Sequence, residues 1–71
     1  MLTKVEEDLI ELLKAFGLDM MTTVSIVDLC ETDENRRTMI KWIIAYYDKH
    51  GQISEDTIQK MGLRLTGDRK K

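Results

Sequence analysis

Apolar side chains recur early in the chain at Val5, Leu9, Leu12, Leu13 and Phe16. That is the i, i+4, i+7, i+8, i+11 spacing of one narrow helical stripe. Glu7, Asp8, Glu11 and Lys14 fall on the opposite face. Thr3, with Glu6 three residues on, has the T-x-x-E spacing of a capping box, and Gly17 can take the left-handed conformation that ends a helix. The pattern predicts a helix over 4–16 with one buried side, covering something larger than itself.

Gly17, Leu18 and Asp19 form a short link, with Asp19 placed to cap a second helix. The segment after it, MMTTVSIVDLCE, is harder to read. Thr22, Thr23, Val24, Ile26 and Val27 are β-branched and favour a strand locally, whereas Met20, Val24 and Val27 share one helical face. No second strand-like run exists to pair with it, and a lone strand leaves its backbone groups unsatisfied. A helix over 20–30 is therefore expected, with a strand exchanged between two copies as the alternative. As a helix it is apolar nearly all round, because Ile26, Leu29 and Cys30 lie off the Val24 face. Such a helix is buried on several sides or sits in an oligomer interface.

Thr32 is placed to cap a third helix, with Asp33 and Glu34 in the first turn where the helix dipole favours carboxylates. This helix runs to about His50, where Gly51 stops it. Met39, Ile43 and Tyr47 centre its apolar stripe, joined by Ile40. Ile44 extends one edge, and Trp42 and Tyr46 the other. The arc covers roughly 200°, about twice what a one-sided surface helix needs. Every other segment is expected to pack on this helix. Ser54 then caps a short helix, EDTIQKM, stopped by Gly62, with Ile53, Ile58 and Met61 facing inward and Leu63 and Leu65 packing back beyond the cap. The expected architecture is all-α: a small bundle of three main helices plus a short C-terminal fourth, organised on a long central helix 33–50. It forms a single helical domain over 1–65, with a flexible basic tail over 66–71.

Composition limits how such a bundle is held together. A core drawn from 71 residues rarely supplies more than about 3–5 kcal/mol without a staple. Cys30 is the only cysteine, so no intrachain disulfide forms, and Cys30 with His50 falls short of a four-ligand structural zinc site. Self-association or a partner protein is the remaining staple. One cysteine beside five methionines fits a reducing compartment. The acidic, charge-broken first sixteen residues read as neither a signal peptide nor a membrane span. A cytoplasmic protein without membrane contact is expected.

Net charge is −2, unevenly spread. Residues 1–34 hold nine acidic and two basic side chains, and residues 35–71 hold four acidic and nine basic. The two halves can align against each other, or the basic half can meet an acidic partner or a phosphate backbone. Arg37, Lys41, Lys60, Arg64 and Arg69 are the candidate contacts for such an anion or nucleic acid. Arg36, nearer the apolar arc, is expected with Arg37 and Lys41 mostly to answer the acidic first helix.

The stretch WIIAYYDKHGQISEDTIQKMGL carries a helix, Gly, one residue, Ile-Ser and a second short helix closing on Gly-Leu. It resembles the first two helices of winged-helix and other helix-turn-helix DNA-binding domains. The likeness spans about 22 residues, and the same pattern describes a generic αα corner. In those domains a third helix enters the major groove, but only eight residues follow Leu63 here. Glu55 and Asp56 would also turn carboxylates toward the phosphates.

Catalytic motifs are missing: there is no nucleotide-binding glycine loop, H-E-x-x-H or G-x-S-x-G. Cys30 lies in an apolar run with no cationic neighbour in sequence, the setting of an inert buried thiol. His50 is a helix-end residue. No enzyme activity, cofactor, metal or small-molecule substrate is expected. The leading expectation is a small protein-interaction or regulatory module, acting as a homo-oligomer (a homodimer first) or on a larger protein. Its surface would be the surplus apolar side chains Val24, Ile26, Leu29, Trp42 and Tyr46. A nucleic-acid-associated regulator using the basic half is the second reading. The third is a small acidic inhibitor of a mobile element, acting through Glu6, Glu7, Asp8 and Glu11.

Overall fold

The computed structural model describes residues 1–67, which form four helices: α1 (Lys4–Ala15), α2 (Met20–Leu29), α3 (Asp33–His50) and α4 (Glu55–Gly67). Local chemistry sets most of the boundaries. The Thr3 hydroxyl accepts from the Glu6 amide at 3.1 Å, and the Glu6 carboxylate accepts from the Thr3 amide at 2.8 Å, completing the capping box. At the far end of α1, Gly17 has φ +90°, its amide bonds to the Lys14 carbonyl at 2.9 Å, and the Leu18 amide bonds to the Leu13 carbonyl at 3.2 Å. This is the Schellman arrangement, with Leu18 folded back onto the core beside Leu13.

Asp19 caps α2 by accepting from the Thr22 amide at 2.9 Å, and hydrogen bonding from the Thr22 side chain, then from this amide, lowers its carboxyl from the ordinary value. Residues 20–29 are thus helix, not strand. Thr32 caps α3 through the Asn35 amide at 3.1 Å, and Gly51 ends it at φ +78°. Ser54 caps α4 through the Thr57 amide at 3.2 Å. Between α2 and α3 the turn is tight. Glu31 takes φ +72°, and the Cys30 carbonyl accepts from both the Thr32 amide and the Asn35 side chain at 2.8 Å.

The packing closes a ring: α1 lies against α2 and α3, and α4 lies against the same two helices. The broad apolar arc of α3 therefore serves two neighbours, α1 on one side and α4 on the other. The expectation that every segment packs on α3 needs correction for α2, whose main contacts are with α1 and α4. Leu9 and Leu13 of α1, Ile26, Val27 and Cys30 of α2, Met39 and Ile43 of α3 and Ile58 of α4 fill the centre.

The buried face of α2 is Thr23, Ile26, Val27 and Cys30, while Met20 and Val24 stand exposed. With apolar or β-branched residues on nearly every side, the helix rotates to whichever face α1 and α4 cover best. Tyr47, expected at the centre of the α3 stripe, is nearly half exposed, its ring held edge-on to Phe16 at 5.2 Å near the end of α1. Lastly, α4 does not stop at Gly62. It runs to Gly67, with Thr66 buried and its hydroxyl bonded to the Gly62 carbonyl. Gly62 is there for closeness: a Cβ at that position would lie 2.9 Å from Leu29 Cδ2. The boundary expected at residue 65 thus falls inside a packed helix, and the last four residues of the expected basic tail lie outside the described residues.

Among the described residues, one core position carries a polar group with no partner. Thr23 is fully buried, and its hydroxyl oxygen makes no hydrogen bond. Thr23→Val keeps the shape and removes that desolvated hydroxyl, so urea unfolding is expected to show a gain of about 1 kcal/mol. A loss of stability would reveal a partner for the hydroxyl.

Candidate functional site

The outer faces of α3 and α4 meet along a trough of about 600 Å³. Trp42, Ala45, Tyr46 and Lys49 line it from α3, one helical turn apart along the same side. Thr57, Lys60, Met61 and Arg64 line it from α4 with matching spacing. The two helices run back along each other: Thr57 shares a depression with Tyr46 and His50, whereas Gly62 lies beside Met39. The floor is aromatic and thioether. Trp42, Tyr46 and Met61 are each half-buried. The Tyr46 ring leans on the His50 imidazole at 4.2 Å between centroids, closing the end of the trough.

The polar groups around the floor are cationic. Lys49, Lys60 and Arg64 are exposed, and among the described residues no carboxylate lines the trough. Lys60 pairs with Asp56 one turn away at 3.2 Å, but both side chains are about three-quarters exposed. Such pairs hold little free energy and exchange readily. The site is therefore an apolar channel between two helices, bordered by solvated positive tips.

The surface expected from sequence is divided by the fold. Trp42 and Tyr46 come together in the trough as an i, i+4 pair. Ile26 is buried at 2% exposure, because the buried face of α2 includes it, and it meets the surface only at the bottom of a depression between α2 and α4. Leu29 is half-buried over Gly62 and, with Met21 and Leu63, borders a second, uncharged depression of about 420 Å³ between α2 and α4. Val24 is exposed on α2 but lines neither depression. Of the expected anion contacts, Lys60 and Arg64 are trough residues. Arg37 and Lys41 are exposed on α3 outside it, and Arg69 lies outside the described residues.

The cation that answers α1 is Arg36. Its Nε donates to the Val27 carbonyl at 2.9 Å, one Nη meets Asp33 at 2.8 Å and the other approaches Glu6 at 3.6 Å. Lys49, His50 and Met61 are trough residues that periodicity did not single out as a surface. The signal available was the shared spacing of 42, 46 and 49 with 57, 61 and 64, which becomes visible only once α4 continues past Gly62.

Reactive groups are kept apart. Cys30 is fully buried, donates to the Met39 sulfur at 3.4 Å, and burial pushes its thiol up despite the nearby Arg36. His50 is exposed at the other end of α3. Among the described residues no three His, Cys, Asp or Glu side chains gather as a metal-holding group, and no helix is long and apolar enough to cross a membrane.

The fold and trough together define an all-helical bundle with an open aromatic and basic channel between its last two helices. No protein-family model, curated protein or solved structure matches this chain.

Proposed function

We propose that this protein is a small non-enzymatic interaction module, regulatory in effect and working in a reducing cytoplasm, that holds a segment of a partner protein between α3 and α4. The observation that carries the reading is the partly exposed Trp42–Tyr46 pair over Met61 in a trough open to solvent. Trp and Tyr dominate the energetics of protein interfaces because they offer large, stiff contact area with a polar edge. A small-molecule pocket fits less well, since such sites surround the ligand and fix it with convergent, immobile polar groups. Here the polar groups are flexible lysine and arginine ends. Catalysis is also poorly served: the thiol is sealed in the core and the imidazole packs on a tyrosine ring.

The test is site-specific photo-crosslinking in cells that make the protein. A benzophenone side chain at position 45, an exposed trough position, is expected to give discrete protein adducts. These should vanish with Trp42→Ala, while the same probe at exposed Glu11 on α1 gives none of them. Adducts at 45 that consist of nucleic acid would replace this reading with the nucleic-acid one. Adducts of the chain with itself would make the trough a homo-oligomer contact. Equal labelling at 45 and 11 would remove the trough as a docking surface.

A further inference from the structure

We infer that the occupant of the α3–α4 trough is an acidic amphipathic α-helix of another protein, its apolar side chains on Trp42, Tyr46 and Met61 and its carboxylates toward Lys49, Lys60 and Arg64. The inference rests on the interaction reading above and names the chemistry of the partner.

Three observations carry it. The first is charge. Among the described residues the three Lys and Arg side chains lining the trough face no lining carboxylate, and Lys60 pairs only with the exposed Asp56 of its own helix, so an occupant gains by bringing its own. The second is the nature of the walls. Both are α-helices with their main-chain groups bonded internally, so neither offers a free edge to an extended peptide. A rod laid between two rods makes ridge-into-groove contacts instead. Lining positions 42 to 49 span about 10 Å, two helical turns, which matches apolar anchors at i, i+3 or i+4, and i+7.

The third observation excludes α1 of a second copy. It is the helix with the most carboxylates, but its apolar stripe Val5, Leu9 and Leu13 is already buried in the core. The face that α1 leaves outside is charged, Lys4, Glu7, Asp8, Glu11 and Lys14, without large apolar anchors. The combination that the trough accepts is not displayed on α1 of this molecule.

Trp42 is the only tryptophan, so its emission reports occupancy directly. The probes are synthetic helical peptides with leucine anchors at i, i+3, i+4 and i+7, flanked by Glu in one, Gln in the second and Lys in the third. The Glu peptide is expected to shift Trp42 emission and to bind about tenfold more tightly than the Gln peptide, as three exposed ion pairs of ordinary weak strength together supply. The Lys peptide should bind more weakly than either. The Glu-over-Gln advantage should fade between roughly 50 mM and roughly 500 mM salt. The double variant Lys60→Glu/Arg64→Glu, both on exposed positions, should keep its helical circular dichroism and reverse the preference toward the Lys peptide.

A proline at the centre of the Glu peptide should weaken binding at least about tenfold if the occupant is helical. No effect of that proline overturns the helix. Equal affinity for the Glu and Gln peptides overturns the acidic partner, and the interaction reading then still stands on the position-45 adducts. A single-stranded oligonucleotide that binds more tightly than the Glu peptide at physiological salt overturns the inference in favour of nucleic acid. If no peptide moves Trp42 emission and position 45 yields no adduct, both fail together.

Discussion

Arg36→Ala is expected to lower the unfolding free energy by about 3 kcal/mol, as breaking a buried, hydrogen-bonded charge does. The guanidinium is only about one-tenth exposed and holds three elements at once. Its Nε satisfies the Val27 carbonyl in the last turn of α2, where a helix favours a cation. Its two Nη atoms reach Asp33 at the start of α3 and Glu6 on α1. Those carboxylates are in turn tied together, because the Thr3 hydroxyl donates to Asp33 at 3.1 Å and the Thr3 amide donates to Glu6. Thr3, Asp33, Arg36 and Glu6 thus form a closed polar ring at one end of the bundle. Alanine takes a hydrogen-bond donor from the Val27 carbonyl and from Asp33, and the opposite charge from Glu6. Lysine keeps the charge but not the fork, so Arg36→Lys should still lose about 2 kcal/mol. Urea unfolding of the three proteins decides it: an alanine variant within about 0.5 kcal/mol of the parent means that the ring contributes orientation and little stability.

Ile43→Ala is expected to lose about 3–4 kcal/mol, most of what a core of this size holds, and so to be largely unfolded at room temperature. Ile43 is fully buried in the central cluster shared by all four helices. Its neighbour Ile44 has the same side chain and is 53% exposed. Ile44→Ala should change stability by less than about 0.5 kcal/mol. The adjacent pair holds chemistry, helix position and propensity constant and varies burial alone. Circular dichroism during urea unfolding reads both variants, and similar losses in the two would contradict the placement of the α3 face.

Helix ends are the most legible part of this chain, because caps are local. Thr3 with Glu6, Asp19, Thr32, Ser54, Gly17 and Gly51 act within a few residues of where they stand. The orientation of α2 is not legible, since a helix apolar on every side gives no preferred direction until its neighbours are known. Gly62 misleads for a related reason. Taken alone it is a helix stop; beside Leu29 it is the residue that lets α2 and α4 approach.

The same glycine also hides the end of the trough. A helix ending at Gly62 carries Thr57, Lys60 and Met61 but leaves Arg64 beyond it. The spacing of Trp42 and Tyr46 and the helix after Ser54 are both visible in the sequence; that the two face each other is not. Arg36 lies between, legible as close to the apolar arc but not as the meeting point of three helices.

The polar ring has a consequence for how this fold can vary. Each of its four residues meets two others, three of the four contacts running between side chains, so a change at one alters the surroundings of its neighbours. In any set of chains sharing this architecture, positions 3, 6, 33 and 36 should therefore vary in concert, exchanged as a group for an apolar cluster or kept as a group. The trough side chains, each exposed at least in part and, apart from the stacked Tyr46 and His50, independently placed, are free to drift one at a time. The covariation pattern alone would then separate what holds the bundle from what it presents.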